Sequence, residues 1–425
     1  MRIELITIGD ELLLGFTIDT NAAYLARELA GLGVEIVRRT TVGDVAADIA
    51  DAVADAVRRT GAVITTGGLG PTSDDLTKPS IAALFGRSMT YDASVYARIE
   101  QRWRARGLPG SPPPANRQQA MVPDGAVVLT NHHGTAPGIW LEDADGRWVA
   151  MLPGVPREMR GMVGDTIVPR LRGRVPDSLT VVRSGTLRTT GIAESALAER
   201  LGDLGAGVEG MPLAYLPGED GVDLRLTARG LPAPEAERLL CLALERLGAC
   251  VGPYAYGRDH TDLAAVVLDA CRRRGLHIGV GESCTAGMLG ARLTAIPGSS
   301  DVFRGGVIAY DNALKHSLLG VPLDELNAVG AVSQEVAIAM AQGARAAAGS
   351  EIGVGITGIA GPDGGTPDKP VGTVWIAVVG PTPPGGAPPA SSRRSIFGGD
   401  REEIRRRATQ GALDMIRRAV LDVSP

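Results

Sequence analysis

Lysine is nearly missing from this chain. Of 43 basic residues only Lys78, Lys315 and Lys369 are lysines, which leaves 40 arginines, so each remaining lysine marks a place where a guanidinium would not serve. Cysteine is also scarce: Cys241, Cys250, Cys271 and Cys284 form no CxxC pair, which excludes a zinc ribbon and a disulfide framework and suggests a reducing cytoplasm. A positively charged face is absent too. The formal net charge of −5 and the interleaving of arginine with carboxylate exclude a generic nucleic-acid or membrane-surface binder. Long apolar runs are lacking, the longest lying around Val371 to Val379 at about half a membrane span. Early charges at Arg2, Glu4, Asp10 and Glu11 leave no room for a signal segment.

What is present is a soluble, globular composition, with 44% hydrophobic and 21% charged residues across 425 positions. That length exceeds one hydrophobic core, so two or three domains are expected. Residues 1–66 alternate short β-rich runs (Arg2–Ile8, Val34–Thr41, Ala62–Thr66) with helical periodicity (Ala22–Leu32; Ile49, Val53, Val57), which predicts a mostly parallel sheet with a crevice beyond its strand ends. From about Ser178 the order becomes β-α-β-β-α, a small α+β module suited to spacing or dimerisation. A third segment opens near Asp259 and is interrupted by the low-complexity run Pro381–Ser392, read as a floppy hairpin loop. The expected domains are 1–172, 176–256 and 259–425.

Two polar clusters fall at predicted strand ends in the first domain. The stretch Gly67-Gly68-Leu69-Gly70-Pro71-Thr72-Ser73-Asp74-Asp75 couples close-approaching amides with carboxylates, a combination suited to a pyrophosphate and a divalent ion. Glu11, Asp44 and Asp75 follow three successive strands and could converge on that ion, although the residues leave open which carboxylates bind it. His132 and His133 have no metal-ligand spacing and are not assigned to the ion.

In the third domain, Gly281-Glu282-Ser283-Cys284-Thr285 ends a strand and places a serine where a helix is expected to begin, near amides able to stabilise an oxyanion. Taken alone Ser283 could be an ordinary helix cap. Tyr310 and Lys315 follow the next short strand, and a desolvated lysine of lowered pKa can accept a serine proton. Cys284 is a rival nucleophile if the helix dipole activates its thiolate. Six glycines lie between Gly353 and Gly365, and Arg401 precedes a helix where its guanidinium could grip a phosphate. The run Arg405-Arg406-Arg407 reads as a solvated helix face.

These motifs resemble the CinA family over essentially the full chain. Glu282-Ser283-Cys284-Thr285, Tyr310 with Lys315, Thr357-Gly358-Ile359-Ala360-Gly361-Pro362-Asp363-Gly364-Gly365 and Lys369-Pro370-Val371-Gly372-Thr373-Val374 are similar to its nicotinamide-nucleotide amidohydrolase module. The Gly67–Asp75 loop resembles the molybdopterin-binding fold, and Asn131–Gly138 and Leu152–Met159 match CinA members. The resemblance implies an α/β protein with a three-layer molybdopterin-binding-like domain, a small α+β module and an α/β amidohydrolase domain. It implies NMN deamidation by Ser283, Lys315 and Tyr310, with Cys284, Thr285, Asn312, Thr357, Gly358, Gly361 and Arg401 binding substrate and no cofactor required. For the first domain it implies ADP-ribose cleavage with Gly67, Gly68, Gly70, Thr72 and Asp74 on the ligand and a magnesium, manganese or cobalt ion on Glu11, Asp44 and Asp75. Molybdopterin binding is the alternative there, since fold does not fix ligand. The resemblance further implies a homodimer with no membrane or direct nucleic-acid partner. One departure, Ala286 where the family commonly has glycine, is expected to perturb the loop only slightly. A competence or repair scaffold with vestigial pockets competes with this reading, but would not need Ser283, Tyr310, Lys315, Thr357 and Arg401 together.

Overall fold

The computed structural model describes residues 1–175, 180–383 and 385–422, and the chain divides into two compact units. The first comprises Met1–Arg183 with Ala228–Glu237, the second Ser184–Thr227 with Arg238–Pro425.

In the first unit β1 (Arg2–Ile8) lies between β2 (Glu35–Val42) and β3 (Ala62–Thr66), parallel to both. A β-strand points successive side chains to opposite faces, and β1 shows the consequence. Ile3 and Leu5 join Leu25 and Leu29 of helix Thr20–Ala30 on one face, while Ile6 and Ile8 join Ile49 and Val53 of helix Ala46–Thr60 on the other. Between β3 and the end of the sheet come β4 (Met89–Tyr91) and β5 (Met121–Pro123), which pair with each other. The main sheet is completed by β6 (Val127–Leu129), β7 (Gly138–Glu142) and β8 (Trp148–Leu152), in the order β2-β1-β3-β8-β7-β6. Three layers result, and the carboxyl ends of β1 and β3 lead into the two polar clusters read from the sequence.

The middle module places β9 (Val181–Thr189), β10 (Leu213–Gly218), β11 (Gly221–Leu231) and β12 (Ala255–Arg258) in the order β10-β11-β9-β12. Its predicted first strand begins at Leu179, which lies outside the described residues. The predicted β-α-β-β-α order gains one element, β12, which pairs antiparallel with β9.

The carboxy-terminal domain orders β13 (Ile278–Glu282), β14 (Phe303–Ile308), β15 (Ile352–Gly358), β16 (Thr373–Val379) and β17 (Ala390–Ile396) as β14-β13-β15-β16-β17. Helices Leu263–Arg274, Met288–Thr294 and Arg401–Leu421 share one core with this sheet, and helix Gln334–Ala348 packs on its other face. Two local expectations need correction. The run Pro381–Ser392 is a hairpin connection only as far as Pro389, because Ala390–Ser392 pair with Ala377–Val379 in β17. No helix begins at Ser283: residues 283–287 form turns and the helix starts at Met288. Among the described residues no helix is long and apolar enough to cross a membrane.

Within the second unit the last helix is also tied to the middle module. Asp414 is fully buried and accepts hydrogen bonds from Arg417 at 2.7 Å and Arg418 at 2.8 Å, while Arg417 donates to the carbonyls of Pro253 and Ala255. Removing one partner of a buried ion pair strands the other charge. Asp414→Ala is therefore expected to lower unfolding stability by about 3–5 kcal/mol in denaturant titration, with the surface pair Arg58–Asp55 as a near-neutral control.

Candidate functional site

β13 delivers Glu282 and Ser283 to the edge of a cavity of about 240 Å³ in the carboxy-terminal domain. Glu282 is buried, and its carboxylate accepts from the amides of Gly287, Leu289 and Gly290 at 2.9–3.1 Å. It thus satisfies the free donors at the start of helix Met288–Thr294, which Gly287 cannot do for lack of a side chain. The Ser283 amide donates to the Ile356 carbonyl and the Ala286 amide to the Ser283 carbonyl. Among the described residues the Cys284 and Thr285 amides donate to no protein acceptor. Ala286 adopts φ 48°, in the left-handed region. The family-typical glycine would sit there without the steric cost of roughly 1–2 kcal/mol that a β-carbon brings.

Lys315 is 2% exposed and is not the solvated helix charge its position could suggest. Its Nζ donates to the Tyr310 carbonyl at 3.1 Å, and burial pulls its pKa below the ordinary lysine value, opposed by the charge of Asp311. Burial pushes the Cys284 thiol up to about 12, which removes it as a thiolate at neutral pH. Tyr310 is 57% exposed, and its hydroxyl accepts from Arg401 at 2.8 Å. Arg401 also donates to the Gly361 carbonyl. It occupies the first position of helix Arg401–Leu421, capped by Asp400 and Glu403, where the helix dipole disfavours a cation. Thr357 donates to the Ala331 carbonyl at 2.8 Å.

Ser283, Cys284, Tyr310, Asn312, Lys315, Thr357, Gly358 and Arg401 all line this cavity. Thr285 and Gly361 do not: Thr285 is fully buried, and Gly361 contributes through its carbonyl to Arg401. Ala331, Val332 and Ala360 complete the wall and were not expected, because small apolar residues carry no chemical signature in sequence. Among the described residues no carboxylate lines the cavity, whereas Lys315 and Arg401 do, so it suits an anionic ligand. The run Arg405-Arg406-Arg407 is not merely a solvated face, since Arg405 donates to the carbonyls of Cys284 and Thr285.

The amino-terminal unit holds a larger cavity of about 570 Å³, lined by Gly67, Gly68, Gly70, Asp74, Glu11, Asp44 and Asp75; Thr72 stands outside it. Gly67 has φ 114°, and a β-carbon there would meet the Ile8 carbonyl oxygen at 2.0 Å. Expectation and structure part over the metal set. Among the described residues no three His, Cys, Asp or Glu side chains come together to hold an ion. Asp75 is drawn into its own loop, accepting from the Gly70 amide at 2.6 Å and from the Thr72 amide at 2.8 Å. Asp44 exchanges hydrogen bonds with Asp10, and burial, reinforced by Asp10, Glu11 and Asp74, raises its pKa. The residues present do not fit a three-carboxylate centre. Sequence reasoning also missed Asn21, whose Nδ2 donates to the Gly154 carbonyl while its buried Oδ1 has no partner among the described residues.

The Ser283 turn gives a direct test. Glu282→Gln would turn an amide donor toward backbone N–H groups that now face a carboxylate, and the expected loss is about 1.5–3 kcal/mol in chemical denaturation. An unchanged unfolding midpoint would show that the turn does not depend on this carboxylate.

The two cavities lie in domains that have known relatives. The chain matches the families described as "Probable molybdopterin binding domain" over residues 4–173, "Damage-inducible protein CinA KH domain" over 184–257 and "CinA C-terminal domain" over 260–420. A "CinA-like protein" of Gemmatimonas aurantiaca is 62% identical over 419 residues, covering 99% of this chain and 96% of that protein. A "CinA-like protein" of Prochlorococcus marinus is 44% identical over 425 residues, covering 99% and 96%. Among solved structures, CinA of Thermoplasma acidophilum, titled as of unknown function, aligns at 32% identity and TM-score 0.37, covering 40% of this chain and 96% of that one. With a molybdopterin-binding-like amino-terminal domain, a KH-like middle module and an α/β CinA carboxy-terminal domain, the chain belongs to the CinA family.

Proposed function

We propose that the carboxy-terminal cavity is a serine amidohydrolase site that converts NMN to nicotinate mononucleotide and ammonia. The observation that carries this reading is a buried lysine of lowered pKa lining the same acid-free cavity as Ser283 and Arg401. Neutral Lys315 accepts the Ser283 proton as Oγ attacks the carboxamide carbon. The negative charge that develops on the amide oxygen falls to the free amides of the turn. The Lys315 ammonium then returns the proton to the leaving nitrogen, ammonia departs, and an acyl-enzyme ester remains. Water, deprotonated by the same amine, attacks that ester and releases the carboxylate and Ser283. Arg401 and Tyr310, already hydrogen-bonded to each other, face the anionic end of the substrate.

For the amino-terminal cavity the reading is ADP-ribose hydrolysis to AMP and ribose 5-phosphate, dependent on a divalent ion. Its support is electrostatic. Glu11, Asp19, Asp44, Asp74, Asp75 and Glu158 line the cavity with no lysine or arginine among the described residues, so a pyrophosphate would enter together with a cation. Homodimer formation belongs to the same proposal, supported by the exposed apolar side chains Leu13, Leu14, Phe16 and Ile18, the last of which lines the cavity.

Three outcomes follow. Ser283→Ala is expected to abolish ammonia release from NMN, while Cys284→Ala retains it; the reverse pattern would exchange the two roles. Because a base must be unprotonated, the rate should rise with pH and level off below the ordinary lysine range, and Lys315→Arg should remove activity at every pH tested. Asp75→Asn, which replaces one acceptor oxygen by an NH2 group, is expected to weaken AMP formation through loss of one of its loop contacts, about 1.5–3 kcal/mol for a hydrogen bond to a charged group, and to leave the cobalt or magnesium concentration at half-maximal rate unchanged. A shift in that concentration would make Asp75 a ligand.

A further inference from the structure

Arg405 does not line the catalytic cavity, yet its guanidinium reaches the turn that carries Ser283. Nε donates to the Cys284 carbonyl at 3.1 Å and Nη2 to the Thr285 carbonyl at 3.0 Å. The forked donor geometry of arginine suits two acceptors on consecutive residues, and a lysine ammonium could reach one but not hold both planes. Arg405 stands four residues after Arg401, one helical turn on, so the two arginines share a face of the last helix. The next residue behaves differently: Arg406 pairs with Glu219 and Glu402 at the surface. Arg405 has no carboxylate partner among the described residues, so its charge is directed at the turn alone.

We propose that Arg405 is a positioning residue for the reaction at Ser283, holding the Cys284–Thr285 and Thr285–Ala286 peptide planes. This rests on the amidohydrolase reading. The reasoning is one of peptide geometry. A peptide unit is planar and trans, so its C=O and N–H point in opposite directions. Gripping the Cys284 carbonyl fixes the Thr285 amide on the opposite edge, and gripping the Thr285 carbonyl fixes the Ala286 amide toward the Ser283 carbonyl, which it reaches at 3.1 Å. The remaining anchors are the Ser283 amide on Ile356, the Gly287 amide on Glu282 and the Met288 amide, which shares the Thr285 carbonyl with Arg405 at 3.2 Å and, among the described residues, leaves the Cys284 carbonyl to Arg405 alone. Without Arg405 the two planes between these anchors lose their side-chain restraint. A displacement of about 1 Å at a reacting group can lower a rate by about 100-fold.

The test compares wild type, Arg405→Gln and Arg405→Lys in the full-length protein by steady-state NMN turnover and by hydrogen exchange of the segment 282–290. Arg405→Gln is expected to lower kcat by about 10- to 100-fold with KM within about twofold, since the side chain does not touch the substrate cavity, and to speed exchange in that segment. Arg405→Lys, which keeps the charge and is the fallback should the glutamine variant not fold, is expected to fall between. A kcat within twofold of wild type in both variants overturns the proposal, as does a rise in KM that accounts for the whole loss. If wild type itself released no ammonia from NMN, the substrate reading would fail on its own. The exchange measurement would still decide the role of Arg405, with unchanged exchange across 282–290 counting against it.

Discussion

A nucleophile on a turn is only as well placed as the turn is rigid, and here the backbone around Ser283 is gripped by opposite charges. Glu282 takes three amides on one side of the turn, and Arg405 takes two carbonyls on the other. Each charge comes from a different layer: Glu282 ends a central strand, and Arg405 projects from the last helix. Charge-assisted hydrogen bonds are about twice as strong as neutral ones, and a buried carboxylate that meets three donors is compensated without a counter-ion. The start of that helix is in turn fixed by the reciprocal Asp400 and Glu403 cap, which sets the rotation that brings Arg401 and Arg405 to the site together. The three-layer packing is thus the means by which two distant charges meet one five-residue turn.

The two cavities divide their charges cleanly. Among the described residues, Lys315 and Arg401 but no carboxylate line the carboxy-terminal one, and six carboxylates but no lysine or arginine line the amino-terminal one. The few lysines follow a related logic. Lys78 donates to the carbonyls of Gln118 and Gln119, Lys315 to that of Tyr310 and Lys369 to that of Val329. An ammonium is a compact donor that fits against backbone oxygens where a planar fork does not. Burial lowers the pKa of Lys78 to about 8, a cost of placing a charge inside the fold, and also lowers that of Lys315, which lines one cavity with Ser283.

Much of the fold was legible because periodicity reports burial. The β-rich run Arg2–Ile8 and the helical spacing of Ile49, Val53 and Val57 predicted a mostly parallel sheet, and the structure covers both faces of it with helices. In the site, Ser283, Tyr310, Lys315 and Arg401 were found from residue type and local context and Thr357 from the family resemblance, and they do share one cavity. Side-chain commitments that depend on tertiary structure were not legible. Asp75 has the look of a metal ligand in sequence, but its short side chain meets the amides of its own loop first. Ser283 follows a strand as expected, but no helix begins there: the chain turns for five residues first, and Glu282 rather than Ser283 meets the amides at the helix start. Arg405 sat within a basic run, and nothing in its neighbours distinguishes it from Arg406. Only the register of the helix against the turn does that.

The central claim is that Ser283 becomes acylated. Mixing the enzyme with NMN, quenching in acid from milliseconds to seconds and sequencing the peptide that spans Glu282 to Gly290 by mass spectrometry tests it directly. The expected result is a transient mass gain on Ser283 equal to the nicotinoyl nucleotide acyl group, decaying as NMN is consumed. A gain on Cys284, or repeated turnover with no adduct at any quench time, would contradict it.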